Sequence, residues 1–285
     1  MTYPIVLAHG ICRFDALLRD ILQDEDAAED RLHYFRGIRS MLAAHGFSVF
    51  HSTVPWAAGV SARARALKAN VEQVLATTGS PKVHVIAHSM GGLDARHMLF
   101  EHQADRMHEK VASITTIGTP HRGTTFADWG VTNGSLVRII LRGLCIEDFD
   151  GFFDLTTRAC EDFNEAAAGF EKRCGVLFQT VAGAQDLPYI FEPLQIPWAI
   201  IHANEGANDG LVSVSSATWR PEYLRAPVLS ADHLNELGWW EPNDAGLLRF
   251  PFAPPRGETP LELDTRIRAV YVAIAQDLAA RYPVA

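Results

Sequence analysis

Val83-His84-Val85-Ile86-Ala87-His88-Ser89-Met90-Gly91-Gly92 is the stretch on which the reading of this chain turns. Its first five residues are β-branched and apolar enough for a buried strand, and residues 90–102 carry a helical pattern. Ser89 therefore stands at a strand-to-helix turn, with Ala87 two residues before it and Gly91 two after. A serine nucleophile needs this setting. The strained turn exposes its hydroxyl, and the amide that follows points at the oxygen of a reacting carbonyl. Small flanking residues let helix and strand pack that closely, and Ala87 is the next smallest choice after glycine. A serine that merely caps a helix in a Gly-rich turn would look the same over five residues, so the rest of the chain has to decide.

Working outward, strand patterns fall at residues 4–8, 47–54, 83–87, 111–117, 176–181 and 198–202. Helical periodicity fills 33–44, 61–77 and 90–102, and returns at the end as Leu263, Ile267, Val270, Ile274 and Leu278 on one face. Strands alternating with helices indicate an α/β fold, a mostly parallel sheet covered on both faces, here as one domain over 1–285. Two stretches break the alternation. Residues 124–172 lie between strands without adding one and hold the apolar run Leu136, Val137, Ile139, Ile140, Leu141 and Leu144; an insertion of that length is functional or disordered, and this one is too apolar for disorder. Residues 241–262, with five prolines, read as an irregular surface loop.

In a fold of this type a serine triad follows the chain order Ser, then Asp or Glu, then His. His97, His102 and His108 lie on or just after the serine's own helix, and His121 follows the very next strand, which leaves His202 and His233. The best acid is Asp209, in the Asn208-Asp209-Gly210 turn after the expected strand 198–202, at the sheet edge where open α/β sheets bind ligands. His202 precedes it, so His233 is the base. The oxyanion needs a second backbone N–H besides that of Met90, and His9-Gly10-Ile11-Cys12 after the first strand supplies one at Ile11.

Composition removes other classes of function. Against 34 Asp+Glu stand 25 Lys+Arg, a net charge of −9 that argues against nucleic acid as a partner. No apolar run reaches the ~18 residues of a membrane span. Met1-Thr2-Tyr3 carries no basic region and the apolar stretch at 4–8 is too short for a cleavable leader. The four cysteines show no metal-type spacing and read as reduced thiols, Cys160 and Cys174 being the one plausible local pair. His108-Glu109 begins a zinc-protease motif but its fifth residue is Ala112, so metal hydrolysis is not expected.

The residues now on the page resemble the bacterial true lipases, the Pseudomonas- and Burkholderia-type triacylglycerol lipases. The resemblance runs through residues 3–10, the Ser89 turn, the long segment 111–123 ending Gly118-Thr119-Pro120-His121-Arg122-Gly123, residues 208–213 and His233-Leu234-Asn235-Glu236. It implies an α/β-hydrolase fold, hydrolysis of carboxylic esters through an acyl-enzyme, a lipid or ester partner met at a lipid–water interface, and a mobile lid in 124–172. His121 belongs to the shared loop and reads as structural. The family places calcium ligands two and six residues after the base, where this chain has Asn235 and Trp239, and a half-cystine where it has Ser215. An indole cannot ligate calcium. No cofactor, no calcium and no family disulfide are therefore expected, and with no leader in sight an intracellular setting is favoured over leaderless export or a trimmed leader. The apolar insertion suggests medium or long acyl chains. The rivals are an acyltransferase or thioesterase with the same triad, and a silent scaffold that only binds; retention of Ser89, Asp209 and His233 argues against the last.

Overall fold

The computed structural model describes residues 2–11, 30, 33–56, 58–134, 137, 150–239 and 258–284. Five strands form one parallel sheet: β1 (Ile5–Ala8), β2 (Val49–His51), β3 (Val83–His88), β4 (Val111–Ile117) and β5 (Leu177–Val181), in the order β2-β1-β3-β4-β5. A two-stranded ladder, β6 (Gly183–Ala184) with β7 (Leu229–Ser230), is also parallel. After β1 the chain moves out to β2 and then returns to the other side of β1 as β3. The connections that leave β1 and β3 therefore diverge, the topological switch at which open α/β sheets bind ligands. Residues 9–11 and the Ser89 turn stand at the carboxyl ends of these two strands.

The alternation of side chains fixes the two layers. Val6, Ala8, Val85 and Ala87 point to one face and pack with Ala64, Leu67 and Val71 of helix α2 (Val60–Thr78) and with Ala95, Met98 and Leu99 of α3 (Met90–Glu101). Ile5, Leu7, Ile86 and Ile117 point to the other, onto Ile38 and Leu42 of α1 (Ile38–Ala44) and onto Ile267, Tyr271 and Ile274 of the C-terminal helix (Pro260–Arg281). A third apolar cluster, which includes Ile11, Met90, Phe126, Phe152, Phe191 and Leu234, lies beyond the carboxyl edge of the sheet.

Most expected elements form, several with shorter bounds. The strand expected at 47–54 is three residues long, and the helix expected from residue 33 begins at Ile38, after Gly37 at φ 65. The loop expected at 241–262 lies outside the described residues as far as 257; at its end a helix stands instead, where Thr259 makes a capping box with Glu262 and Pro260 opens the helix. The one element of the wrong type is 198–202. It lies inside a helix, Gln195–Glu205, whose Pro197 and Ile201 are buried four apart while Trp198 and His202 stack at 4.4 Å. Five residues are too few to tell the two periods apart, and the helix's own face, not a sheet, receives them. Among its described residues the insertion holds α4 (Thr125–Thr132), α5 (Asp150–Phe153) and α6 (Thr157–Glu171). Of its apolar run only Val137, which is buried, is among the described residues. Cys160 and Cys174 are free thiols; Cys12 and Cys145 lie outside the described residues.

At the opposite, amino end of the sheet His84 is fully buried, its Nδ1 2.8 Å from the Ser113 hydroxyl and its ring between Tyr3 and Tyr282. Burial lowers its pKa from about 6.5 to about 4. The folded state thus holds this imidazole neutral, and the unfolded chain takes up the proton first as pH falls. Stability is complete above about pH 6.5 and is lost between there and about pH 4, by up to about 3 kcal/mol at roughly 1.4 kcal/mol per unit. His84→Gln keeps a partner for Ser113 without the titration, so urea unfolding at pH 7 and pH 4.5 should show a smaller acid loss in the variant than in the parent. An equal loss in both would assign the acid sensitivity elsewhere.

Candidate active site

Ser89 joins β3 to α3 with φ 55 and ψ −135, a left-handed-side backbone that a non-glycine residue holds only under constraint. The constraints are visible. The Ser89 N–H donates to the Ile117 carbonyl at 3.0 Å, and the Thr119 hydroxyl donates to the Ser89 carbonyl at 2.7 Å. The small neighbours are required by contact: a Cβ on Gly91 would lie 2.7 Å from the His9 carbonyl oxygen and against that of Ala8, and one on Gly92 would strike Thr119. Met90, next after the serine, is the first residue of its helix, so its N–H has no intrahelical acceptor.

The segment after β1 reaches the same place. Gly10 is packed so closely that a Cβ there would fall 2.6 Å from the Tyr34 hydroxyl and 2.7 Å from Cβ of Ser89. Ile11, the next residue, is buried beside Met90 in the apolar cluster. The expected pair of amides thus comes from two segments in direct contact with the serine turn or forming part of it.

Asp209 and His233 are brought together from loops on separate parts of the chain. Asp209 follows a helix where a strand was expected, yet the Asn208-Asp209-Gly210 turn forms as read, closed by Gly210 at φ 105 and by the Asn208 side chain accepting the Gly210 N–H at 2.9 Å. Oδ1 of Asp209 accepts the N–H groups of Leu211 (2.8 Å) and Val212 (2.7 Å), which leaves Oδ2 to accept Nδ1–H of His233 at 2.8 Å. The two backbones are joined as well, His233 N–H donating to the Asp209 carbonyl at 2.8 Å. The bond at Nδ1 places the free lone pair of the ring on Nε2, the tautomer a general base needs. The His233 ring packs 4.4 Å from that of His88, the residue before Ser89.

Three buried groups around this pair went unassigned from sequence. Asp232 supports the base's turn, its Oδ1 accepting from Leu234 N–H (3.0 Å) and Asn235 N–H (2.8 Å) and its Oδ2 from Phe191 N–H (3.0 Å). His88 and Glu236 are both fully buried, 3.2 Å apart between Nε2 and Oε2, and Nδ1 of His88 is 2.7 Å from the Tyr34 hydroxyl. Burial drives the Glu236 carboxyl well above the usual carboxylate range, with Asp209 and Asp232 adding to it, and burial drives His88 well below the usual imidazole range. Two neutral partners therefore meet, and a protonated Glu236 can donate to Nε2 of His88. Glu236 fits only because Gly118 and Gly183 leave it room. His88, His233 and Glu236 are the one group of metal-type donors within 4.8 Å of one another among the described residues. His88 stands in the quoted motif and Glu236 three residues after His233, but nothing in the sequence pairs residues 148 apart. His121 takes up the structural place expected of it: it stacks on Trp219 at 4.6 Å, with Nε2 2.8 Å from the Thr116 hydroxyl and Nδ1 accepting from Arg96 at 3.2 Å.

With this geometry in hand, the similarities to known proteins become specific. A family model described as the alpha/beta hydrolase fold matches residues 3–144. A triacylglycerol lipase of Vibrio cholerae is 30% identical over 246 residues, covering 75% of this chain and 73% of that protein. The Burkholderia plantarii triacylglycerol lipase is 38% identical over 130 residues, but that is 45% of this chain and 32% of the relative, so the narrower Burkholderia-type likeness is confined to less than half of the chain. Among solved structures, the Staphylococcus hyicus lipase superposes with a TM-score of 0.66 at 18% identity, covering 98% of this chain and 96% of that one, which speaks for the fold. A parallel sheet with its serine at a strained strand-to-helix turn, and a relative that matches across three quarters of the chain, together make this chain a member of the α/β-hydrolase lipases, serine hydrolases that cleave carboxylic esters.

Proposed function

We propose that this enzyme hydrolyses medium- to long-chain acyl esters, acylglycerols among them, with Ser89 as nucleophile, His233 as base and Asp209 as the acid that orients it. Oγ of Ser89 attacks the ester carbonyl while Nε2 of His233 takes its proton, and the N–H groups of Ile11 and Met90 receive the oxyanion. Collapse of the tetrahedral intermediate breaks the ester C–O bond, and the imidazolium returns its proton to the departing alcohol. Water then attacks the acyl-enzyme with His233 again as base, releasing the carboxylic acid and restoring Ser89. The observation that carries this reading is the 2.8 Å bond from His233 to Asp209, made beside a serine turn that Gly10 touches. The acyl chain would lie along the apolar cluster around Ile11, Met90, Phe126 and Phe152. Triacylglycerol is the substrate in the names of the relatives. A fluorophosphonate probe should label Ser89, located by peptide mass, and octanoate or longer esters should turn over faster than acetate. Labelling elsewhere would overturn the site, and a sharp preference for acetate would overturn the chain length.

We also propose that residues 124–172 act as the lid. Helix α5 lies against the oxyanion residues: a Cβ on Gly151 would come 3.0 Å from Cδ1 of Ile11 and 3.2 Å from Cε of Met90. Helix α6 is fastened down by contrast, since its buried Glu171 accepts from Nε of Arg96 at 2.8 Å and Asn164 accepts from the same guanidinium at 2.7 Å.

The residues present do not fit a calcium ion at the family's position. Oδ1 of Asn235 accepts the Asp232 N–H at 3.4 Å, its Nδ2 donates to the Trp239 carbonyl at 3.0 Å, and the Trp239 indole donates to the Tyr34 carbonyl at 2.8 Å. Both Asp232 oxygens are taken by backbone N–H groups. A hydrogen-bonded turn thus replaces a hard-cation site, which needs several free oxygens. Excess EDTA should leave both kcat and melting temperature unchanged; a fall in either, restored by calcium, would show that the ion binds.

A further inference from the structure

One buried cation is left over by the chemistry above. Arg63, on α2, is fully buried, and all five of its N–H groups find acceptors. Nε donates to the Asp94 carboxylate at 2.9 Å and Nη2 to the same group at 2.7 Å; Nη2 also donates to the His9 carbonyl at 2.7 Å; Nη1 donates to the carbonyls of Pro55 (3.0 Å) and Trp56 (3.1 Å). These acceptors belong to three different segments. His9 immediately precedes Gly10 and Ile11, Asp94 lies one turn into the helix that Met90 begins, and Pro55-Trp56 follow β2.

Ion pairing alone does not explain this choice of residue. A buried pair can often be replaced by apolar side chains of similar volume at no loss of stability, because the attraction scarcely repays desolvation. What an apolar pair, or a lysine, cannot do is hold a carbonyl from one segment and a carboxylate from another in one rigid plane. The plane here spans the two segments that carry the amides of Ile11 and Met90, and those amides must converge on one oxygen. The contact of Gly91 with the His9 and Ala8 carbonyls sets how near the segments come; Arg63 sets how they are turned.

We propose that Arg63 is a positioning residue for ester hydrolysis: its fork between the His9 carbonyl and the Asp94 carboxylate holds the amides of Ile11 and Met90 in the orientation that receives the oxyanion. This rests on the assignment of those two amides made above. Arg63 touches no substrate and acts through the backbone of residues 9–11.

The test uses the double variant Arg63→Met/Asp94→Leu, which removes both charges and so leaves no unpaired ion in the core, with Arg63→Lys beside it, which keeps the charge. In both, kcat is expected to fall between about tenfold and about a hundredfold with KM within about twofold. Affinity for an alkyl boronic acid, a tetrahedral analogue, should fall by the same factor as kcat, with melting temperature close to that of the parent in at least the lysine variant. Fluorophosphonate labelling of the parent separates the two levels of the argument. If the probe labels Ser89 and either folded variant keeps parental kcat and boronate affinity, the positioning role is overturned by itself. If activity falls only in step with the folded fraction, Arg63 is structural and the proposal is again overturned. A parent not labelled at Ser89 overturns the active-site assignment and this proposal with it.

Discussion

Ser89→Ala is expected to lower kcat toward a p-nitrophenyl ester by on the order of 10⁵-fold while leaving the melting temperature within a few degrees of the parent. The change deletes only Oγ. The bonds that hold the turn use backbone atoms of residue 89, its N–H to Ile117 and its carbonyl from Thr119, and alanine keeps both. Alanine also has the same Cβ, so the strain at φ 55 is unchanged. What vanishes is the atom that forms the acyl-enzyme. The remaining rate would be that of water attacking an ester polarised by the oxyanion amides, a small residue of the whole. Residual activity above about one per cent, in a preparation free of parental enzyme, would place the nucleophile elsewhere.

Asp209→Asn is expected to cost about 10⁴-fold in kcat. Asparagine can present Oδ1 to the amides of Leu211 and Val212 as the aspartate does, so the turn survives. Its amide nitrogen then faces Nδ1 of His233, where Oδ2 had accepted a hydrogen bond. A donor at that position favours the tautomer with its proton on Nε2, and such a ring cannot take the proton of Ser89. The loss is thus one of protonation pattern and not of shape. Steady-state kinetics with a thermal melt would distinguish the two, and a folded variant that keeps more than a tenth of parental kcat would remove Asp209 from its assigned part.

The sequence carried those features that depend on neighbours along the chain. The Ser89 turn could be read because a strand, a strained turn and a helix must follow one another within about 20 residues, and the Asn208-Asp209-Gly210 turn because only its last residue tolerates φ 105. Residues 198–202 pass for a strand because a short apolar run fits either period; the signal for a helix lies just before it, in a turn that opens at Gln195 with Pro197 inside it. Glu236, His88 and Tyr34 could not be grouped at all. They are 148 and 54 residues apart, and their meeting depends on Gly118 and Gly183 clearing space from two further segments. Arg63 was likewise hidden, since a charged residue on a helix is ordinarily solvated, and only the packed structure shows it facing three segments at once.

The fastening of α6 bears on how this enzyme could be rebuilt. Arg96, on the nucleophile's helix, reaches Glu171 and Asn164 and lies 3.8 Å over the Trp219 ring, while Asn164 donates to the His121 carbonyl. Residues 157–171 are in this sense inherited with the core. A chimera that imports a cap from another hydrolase and cuts at residue 172 would discard half of a buried ion pair and strand a guanidinium in the interior. A junction ahead of Thr157 would keep that ion pair whole while exchanging the helix that lies against Ile11 and Met90.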